Sequence, residues 1–362
     1  MVTLIDCYST VNTTKTSLLA ISIDFSKYRA MKKILLAHGG GGEETRRLID
    51  EVFRKRLSKP VLNPLEDAAL LSLDHRKIAF TTDSFVVAPP FFPGGNIGKL
   101  SVAGTVNDLA VMGARPRFLS AGFVLGEGFL LQDLIRIVEA MAAEAEHGGV
   151  RVVTGDTKVM PGVDFRGIVI NTAGIGEIMR EGLSASRLAL GDRIIVSGPV
   201  GDHGACILAA REEIDFQLPI ESDCTSLWNL LEEVVVDKND LHAMRDPTRG
   251  GLAGVLTEWA DASSVEIEID EGTIPVREPV RGACELLGMD PLHFACEGRA
   301  VLAAGEDAEE ILSKLKAHPQ GRDAAIIGRV ISKDTFRVVL KSSWNTRRIM
   351  EPPSGELLPR IC

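Results

Sequence analysis

From residue 31 to about residue 343 the sequence keeps switching between a helical rhythm and a strand-like one. That alternation restricts the chain to layered α/β or α+β architectures whose sheets carry helices on one face. Residues 44–57 set Leu48, Ile49, Val52 and Phe53 at helical spacing with charges between them. Residues 77–87 read as a strand ending in a polar turn at 81–84. Residues 100–112 and 130–147 read as helices, the second closed by Gly148-Gly149. Residues 150–154 form a short strand running straight into Gly155-Asp156-Thr157, and 164–175 a longer, mostly apolar one. A boundary falls in 177–186, just before Leu190-Gly-Asp-Arg-Ile-Ile-Val-Ser-Gly198 restarts a strand–turn–helix pattern.

The 362 residues are enough for two domains of ordinary size. The expected organisation is a Ser/Thr-rich extension at 1–30 outside the fold, an N-terminal domain at 31–180, a C-terminal α/β domain at 181–345, and a mobile tail at 346–362 holding three prolines and a glycine. Apolar residues make up 45% and charged residues 25%, as in a soluble globular protein. A formal charge of −10 argues against nonspecific nucleic-acid binding, and 5% aromatic content argues against single-strand stacking platforms. The six cysteines are scattered without zinc-type spacing, so a reducing cytoplasm is expected. No apolar run approaches the roughly 18 residues of a membrane span, and 18–23 is too short for a signal peptide.

Chemistry is suggested by glycines and carboxylates beside apolar segments. His38-Gly39-Gly40-Gly41-Gly42-Glu43 follows an apolar run and precedes a helical pattern, where backbone N–H groups can wrap a phosphate; a plain loop reads equally well. Carboxylates then recur at Glu66-Asp67, Asp83, Asn107-Asp108 and Asp156. Any one Asp is more often a cap or a turn residue. Several converging without matching Lys or Arg point to magnesium on a nucleotide's phosphates. Asp246-Pro-Thr-Arg-Gly-Gly251 precedes a helix at 252–260, with Thr248 as a candidate cap. Cys206, Cys284 and Cys296 lie in apolar contexts and read as core residues.

The segments LEDAA (65–69), TTDSFVV (81–87), FFPGGNIGKLSVAGTVNDLAVMGARP (91–116), GDTKV (155–159) and RDPTRGGLA (245–253) resemble the aminoimidazole-ribonucleotide-synthetase-like ATP-binding superfamily. With the His38 glycine loop, the CEGR segment at 296–299 and the terminal Pro359-Arg-Ile-Cys362, the sequence more closely resembles the HypE family of hydrogenase-maturation carbamoyl-cysteine dehydratases. The resemblance spans about residues 31–362 and implies a two-domain α/β (α+β) fold, a homodimer through the N-terminal domains, and ATP with Mg2+ bound between the domains. It also implies that the carbamoyltransferase HypF loads the C-terminal thiol. ATP-driven dehydration to a thiocyanate follows, and the nitrile passes to iron on the HypC–HypD complex.

Removing an amide oxygen at neutral pH requires its phosphorylation and loss of a nitrogen proton, hence a metal-bound ATP, a base and a cation on the phosphoryl group. The corresponding candidates are Asp67, Asp83, Asp108, Asp156 and Asp246 for the metal or its water shell. His38, Gly39, Gly40, Gly41, Gly42, Asp83, Asn107 and Thr157 are candidates for ATP. Lys158 is expected to stabilise the phosphoryl group and Glu297 to accept the proton, against blander roles as a strand-end residue and as an ion-pair partner of Arg299. The resemblance implies that Cys362 is the carrier thiol, on a tail whose reach suits a swinging arm. Rival readings are selenophosphate synthetase or thiamine-phosphate kinase activity within the superfamily, and a noncatalytic thiol carrier.

Overall fold

The computed structural model describes residues 43, 46, 69–73, 76–161, 165, 167–211, 219–237, 240–333 and 336–353. The helix expected at 44–57 (apart from Arg46), the 38–42 glycine loop, Asp67, the 1–30 extension and Cys362 lie outside the described residues.

The first sheet has the order β1 (Ala69–Leu73), β2 (Arg76–Phe85), β7 (Ile168–Ile178), β5 (Ala114–Gly126) and β6 (Arg151–Met160). All neighbours are antiparallel except the β5–β6 edge pair. Along β2, Ala79, Thr81 and Phe85 are buried while Phe80, Thr82 and Ser84 are exposed, so one face of the sheet is packed and the other open. On the packed face lies α1 (Ile97–Val111), thirteen of whose fifteen residues are buried. Its start is fixed by Asn96, whose Oδ1 accepts from the N–H groups of Gly98 and Lys99. Gly98 lets α2 (Leu131–His147) approach closely, since a Cβ there would stand 2.0 Å from the Ile137 carbonyl oxygen. A short hairpin, β3 (Phe91–Phe92) and β4 (Gly95–Asn96), leads into α1.

Two expected turns are strand. Residues 81–84 pair one for one with 174–171 of β7, and Gly155-Asp156-Thr157 sits inside β6 opposite Ala121, Gly122 and Phe123 of β5. The polar residues there mark the face of a strand, not its end: Thr82 and Ser84 occupy the open face, and Thr81 is satisfied by Asp108. Gly155 is required because a Cβ would lie 2.3 Å from the Ala121 carbonyl oxygen.

The second sheet runs β14 (Arg347–Met350), β13 (Arg337–Lys341), β10 (Val265–Asp270), β12 (Ala325–Lys333), β8 (Arg193–Val196), β11 (Val301–Ala304) and β9 (Leu241–Arg245). Its helices are α3 (Asp202–Ala210), α4 (Trp228–Val236), α5 (Gly251–Ser263), α6 (Glu278–Leu287) and α7 (Ala308–Ala317). Residues 347–350, expected in the tail, pair antiparallel with β13. The first turn of α5 is entered through Gly250 at φ +82°, with no side-chain cap, so Thr248 does not cap it. One hydrophobic cluster runs from Phe85, Leu100 and Val106 to Leu227, Leu231, Leu302 and Ile311, joining α1 to helices and strands of the second sheet. Among the described residues no helix is long and apolar enough to cross a membrane.

Candidate active site

The site forms where α1 and β2 meet the turns at the end of β9 and before β11. Asp83 lies on the helix-facing side of β2, two residues after Thr81, whose Oγ1 donates to Asp108 Oδ2 on α1 at 2.7 Å. Asp83 Oδ1 accepts from the Ser84 N–H at 2.7 Å. From the second sheet, β9 delivers Asp246, and the turn into α5 delivers the exposed Arg249. The loop 296–299 brings in Glu297, 1% exposed, against Gly104 of α1. A Cβ on Gly104 would clash with the Phe85 ring at 2.8 Å and would lie in ordinary contact, 3.9 Å, with Glu297 Oε2, so glycine at 104 admits the Phe85 ring and places Glu297 over this point of α1.

Charge is concentrated here. Burial pushes the Glu297 carboxyl well above the usual carboxylate range; Asp246, Asp223 and Asp83 push it further, and Arg249 opposes them. Burial likewise raises Asp83, against Arg249 and the Ser84 N–H. Positive charge entering the site would oppose that rise and favour the carboxylate, the form able to accept a proton. The ion pair between Glu297 and Arg299 is not what the Arg299 guanidinium makes. It donates to Pro199 O at 3.0 Å and Gly298 O at 3.2 Å, and faces Asp202 and Asp223 at 3.8 and 3.7 Å.

Asp83, Asp108, Asp246 and Glu297 are therefore assembled from four separate segments. Asn107 is close by, with its amide engaged by backbone: Nδ2 donates to Thr225 O and Glu297 O, and Oδ1 accepts from the Leu227 N–H. Asp156, Thr157 and Lys158 are not brought into this group within the chain. They are exposed on β6, at the far edge of the order β2–β7–β5–β6. Sequence reasoning missed Arg249, although it stands inside the Asp246–Gly251 motif and answers the search for a matching cation.

The described cysteines, Cys206, Cys224, Cys284 and Cys296, are free and buried. Burial raises Cys206 and Cys284 to about 11 and the other two well above the ordinary thiol value, which leaves little thiolate for nucleophilic chemistry. Pro353, the last described residue, packs on the turn beside Arg249: a Cβ on Gly250 would meet its Cγ at 3.1 Å.

Two layered modules with clustered carboxylates at their junction define an AIR synthase related protein. The sequence matches the N-terminal domain of that family at 65–178 and its C-terminal domain at 190–341. The carbamoyl dehydratase HypE of Azotobacter vinelandii is 46% identical over 330 residues, 90% of this chain and 96% of its own length. The solved HypE–HypF complex contains a chain 44% identical, with a TM-score of 0.80, covering 84% of this chain and 99% of that one. HypE solved in complex with ATP is 43% identical at a TM-score of 0.76, covering 91% and 100%. The chain belongs to the HypE family of carbamoyl dehydratases.

Proposed function

We propose that this chain performs ATP-dependent dehydration of a carbamoyl group carried on Cys362, supplying cyanide ligands during [NiFe]-hydrogenase maturation. The carrying observation is Glu297, buried beside Asp83, Asp246 and Arg249 where the two modules meet. The thiocarbamate oxygen attacks the γ-phosphorus of ATP, releasing ADP. Glu297 takes one proton from the nitrogen, the second leaves with the phosphate as hydrogen phosphate, and the C–O bond breaks, giving S–C≡N. Overall, thiocarbamate and ATP become thiocyanate, ADP, phosphate and a proton, and the oxygen leaves within phosphate. Arg249 faces the negative charge that develops on the transferring group.

The donor set suits a divalent cation: hard oxygens from β2, α1 and the end of β9, beside a Glu297 that neighbouring carboxylates push up. Among the described residues no three His, Cys, Asp or Glu converge tightly enough to hold a metal alone. Mg2+ would be held by Asp83, Asp108 and Asp246 with Asp67, Asp156 and the phosphates of ATP, supplying charge neutralisation. His38 to Gly42 and Thr157 are the remaining nucleotide contacts in this reading. Nine residues follow Pro353, at most ~32 Å of chain, so the segment that bears Cys362 is tethered at the turn beside Arg249.

The protein works as a homodimer through the open face of the first sheet. Phe80, Ile175 and Phe118 form one row there, each 37–39% exposed, and the edge strand β6 exposes Val152, Val153, Val159 and Met160. A second copy covers both and brings Asp156 and Lys158 into an interface. HypF loads the thiol and the HypC–HypD complex accepts the nitrile, in the cytoplasm. The domain limits in this reading are 31–180 and 181–345, with β14 carrying the second sheet on to Met350. Neither the kinase reading nor a passive carrier accounts for a terminal thiol together with a buried base.

The test is the intact mass of the C-terminal peptide after incubation with HypF, a carbamoyl donor and MgATP. The parent chain should pass through the carbamoyl form and then lose one water. Glu297→Gln should accumulate the carbamoyl form. A parent chain that never loses water is a carrier only.

A further inference from the structure

We infer that Asp223 and Asn107 are positioning residues that clamp the peptide of Glu297 from opposite sides. The inference rests on the proposed role of Glu297 as proton acceptor. The Glu297 N–H donates to Asp223 Oδ1 at 3.1 Å. Its carbonyl oxygen accepts from the Thr225 N–H at 3.2 Å and from Asn107 Nδ2 at 3.1 Å. Both polar ends of this one residue are thereby fixed, one by the strap at 223–225 of the second module and one jointly by that strap and α1 of the first. The strap lies so close that a Cβ on Gly298 would stand 1.9 Å from the Asp223 carbonyl oxygen.

The side chains that do this are themselves pinned. Asp223 is fully enclosed, and its second oxygen faces Arg299 Nε at 3.7 Å. Arg299 is held in turn by Pro199 O, and a Cβ on Gly198 would reach its Nε at 3.1 Å. Asp223 therefore fixes the amide of Glu297 and keeps the neighbouring guanidinium turned away from its carboxyl group. Asn107 donates to Thr225 O and accepts from Leu227 N–H, so the strap and the Glu297 loop are registered on the same amide. A base fixed on both sides of its own peptide has a defined carboxyl position, and proton transfer depends steeply on that position.

The experiment compares Asp223→Ala, Asp223→Asn, Asn107→Ala and Glu297→Gln in the full chain, following dehydration of the HypF-loaded carbamoyl form with MgATP. Asp223→Ala and Asn107→Ala should each lower kcat about tenfold or more. KM for ATP and the extent of carbamoyl loading should stay within about twofold. Asp223→Asn keeps an acceptor for the Glu297 N–H and should recover to within about threefold of the parent. A loss in KM for ATP, a kcat within twofold for both alanine variants, or an Asn variant as slow as Asp223→Ala overturns the clamp. If Asp223→Ala fails to fold, Asn107→Ala and Asp223→Asn carry the comparison. Normal turnover by Glu297→Gln would instead remove the role of Glu297 itself, whatever the other variants do.

Discussion

Asp202 and His203, neighbours at the start of α3, are both fully buried and titrate in opposing directions. Burial and then Asp223 raise Asp202 from 3.8 to about 6, against Arg277 and Arg299. Burial lowers His203 from 6.5 to about 3; its Nδ1 shares a 2.7 Å hydrogen bond with Ser222 Oγ. Between pH 3.8 and 6 the folded chain binds more of the Asp202 proton than the unfolded chain, so stability is lost as pH rises through that window. Between pH 6.5 and 3 the unfolded chain binds more of the His203 proton, so stability is lost as pH falls. The two slopes offset each other. Asp202→Asn should therefore add up to ~3 kcal/mol at pH 7, add almost nothing below about pH 4, and steepen the acid loss left by His203. Urea midpoints measured across that range decide it; an equal gain at pH 4 and pH 7 rejects this account.

Helix α1 is enclosed on nearly every side, and an element of that kind depends on its small residues. Gly98→Ala places a methyl group on backbone, at Ile137 O, which cannot rotate away. It should cost about 1–3 kcal/mol through displacement of α2, seen as a lower Tm. An unchanged Tm would mean that α2 shifts freely. The helical rhythm of α1 and α2 was plain in the sequence, to within about three residues. Residues 81–84 and 155–157 were misplaced as turns because polarity and glycine are read locally, whereas the face a strand residue occupies is set by the partner strand. The same limit explains the site. Asp83, Asp246 and Glu297 stand in legible motifs, but only the packing of α1 against the second sheet shows that they meet and that β6 stays apart. Asp223 had no motif to announce it: its role lies in a hydrogen bond to a residue 74 positions away.

For the molecule as a whole, the open face of the first sheet is the surface with most consequence. Ile175 is the middle of its apolar row, flanked in register by Phe80 and Phe118. Ile175→Glu should convert the proposed dimer to a monomer at micromolar concentration, since a second copy would bury that charge unpaired. Sedimentation velocity reads this directly, and a dimer that survives the substitution uses another face. The buried thiols set a different kind of limit, one familiar from synthesis. Folding acts as a protecting group for Cys206, Cys224, Cys284 and Cys296, masking each sulfur by enclosure and by suppression of its thiolate. A chain that must accept one acyl group on one sulfur therefore needs no recognition of the wrong cysteines at these positions. Selectivity against these four sulfurs is built in before any partner arrives, and it is lost whenever the second module opens.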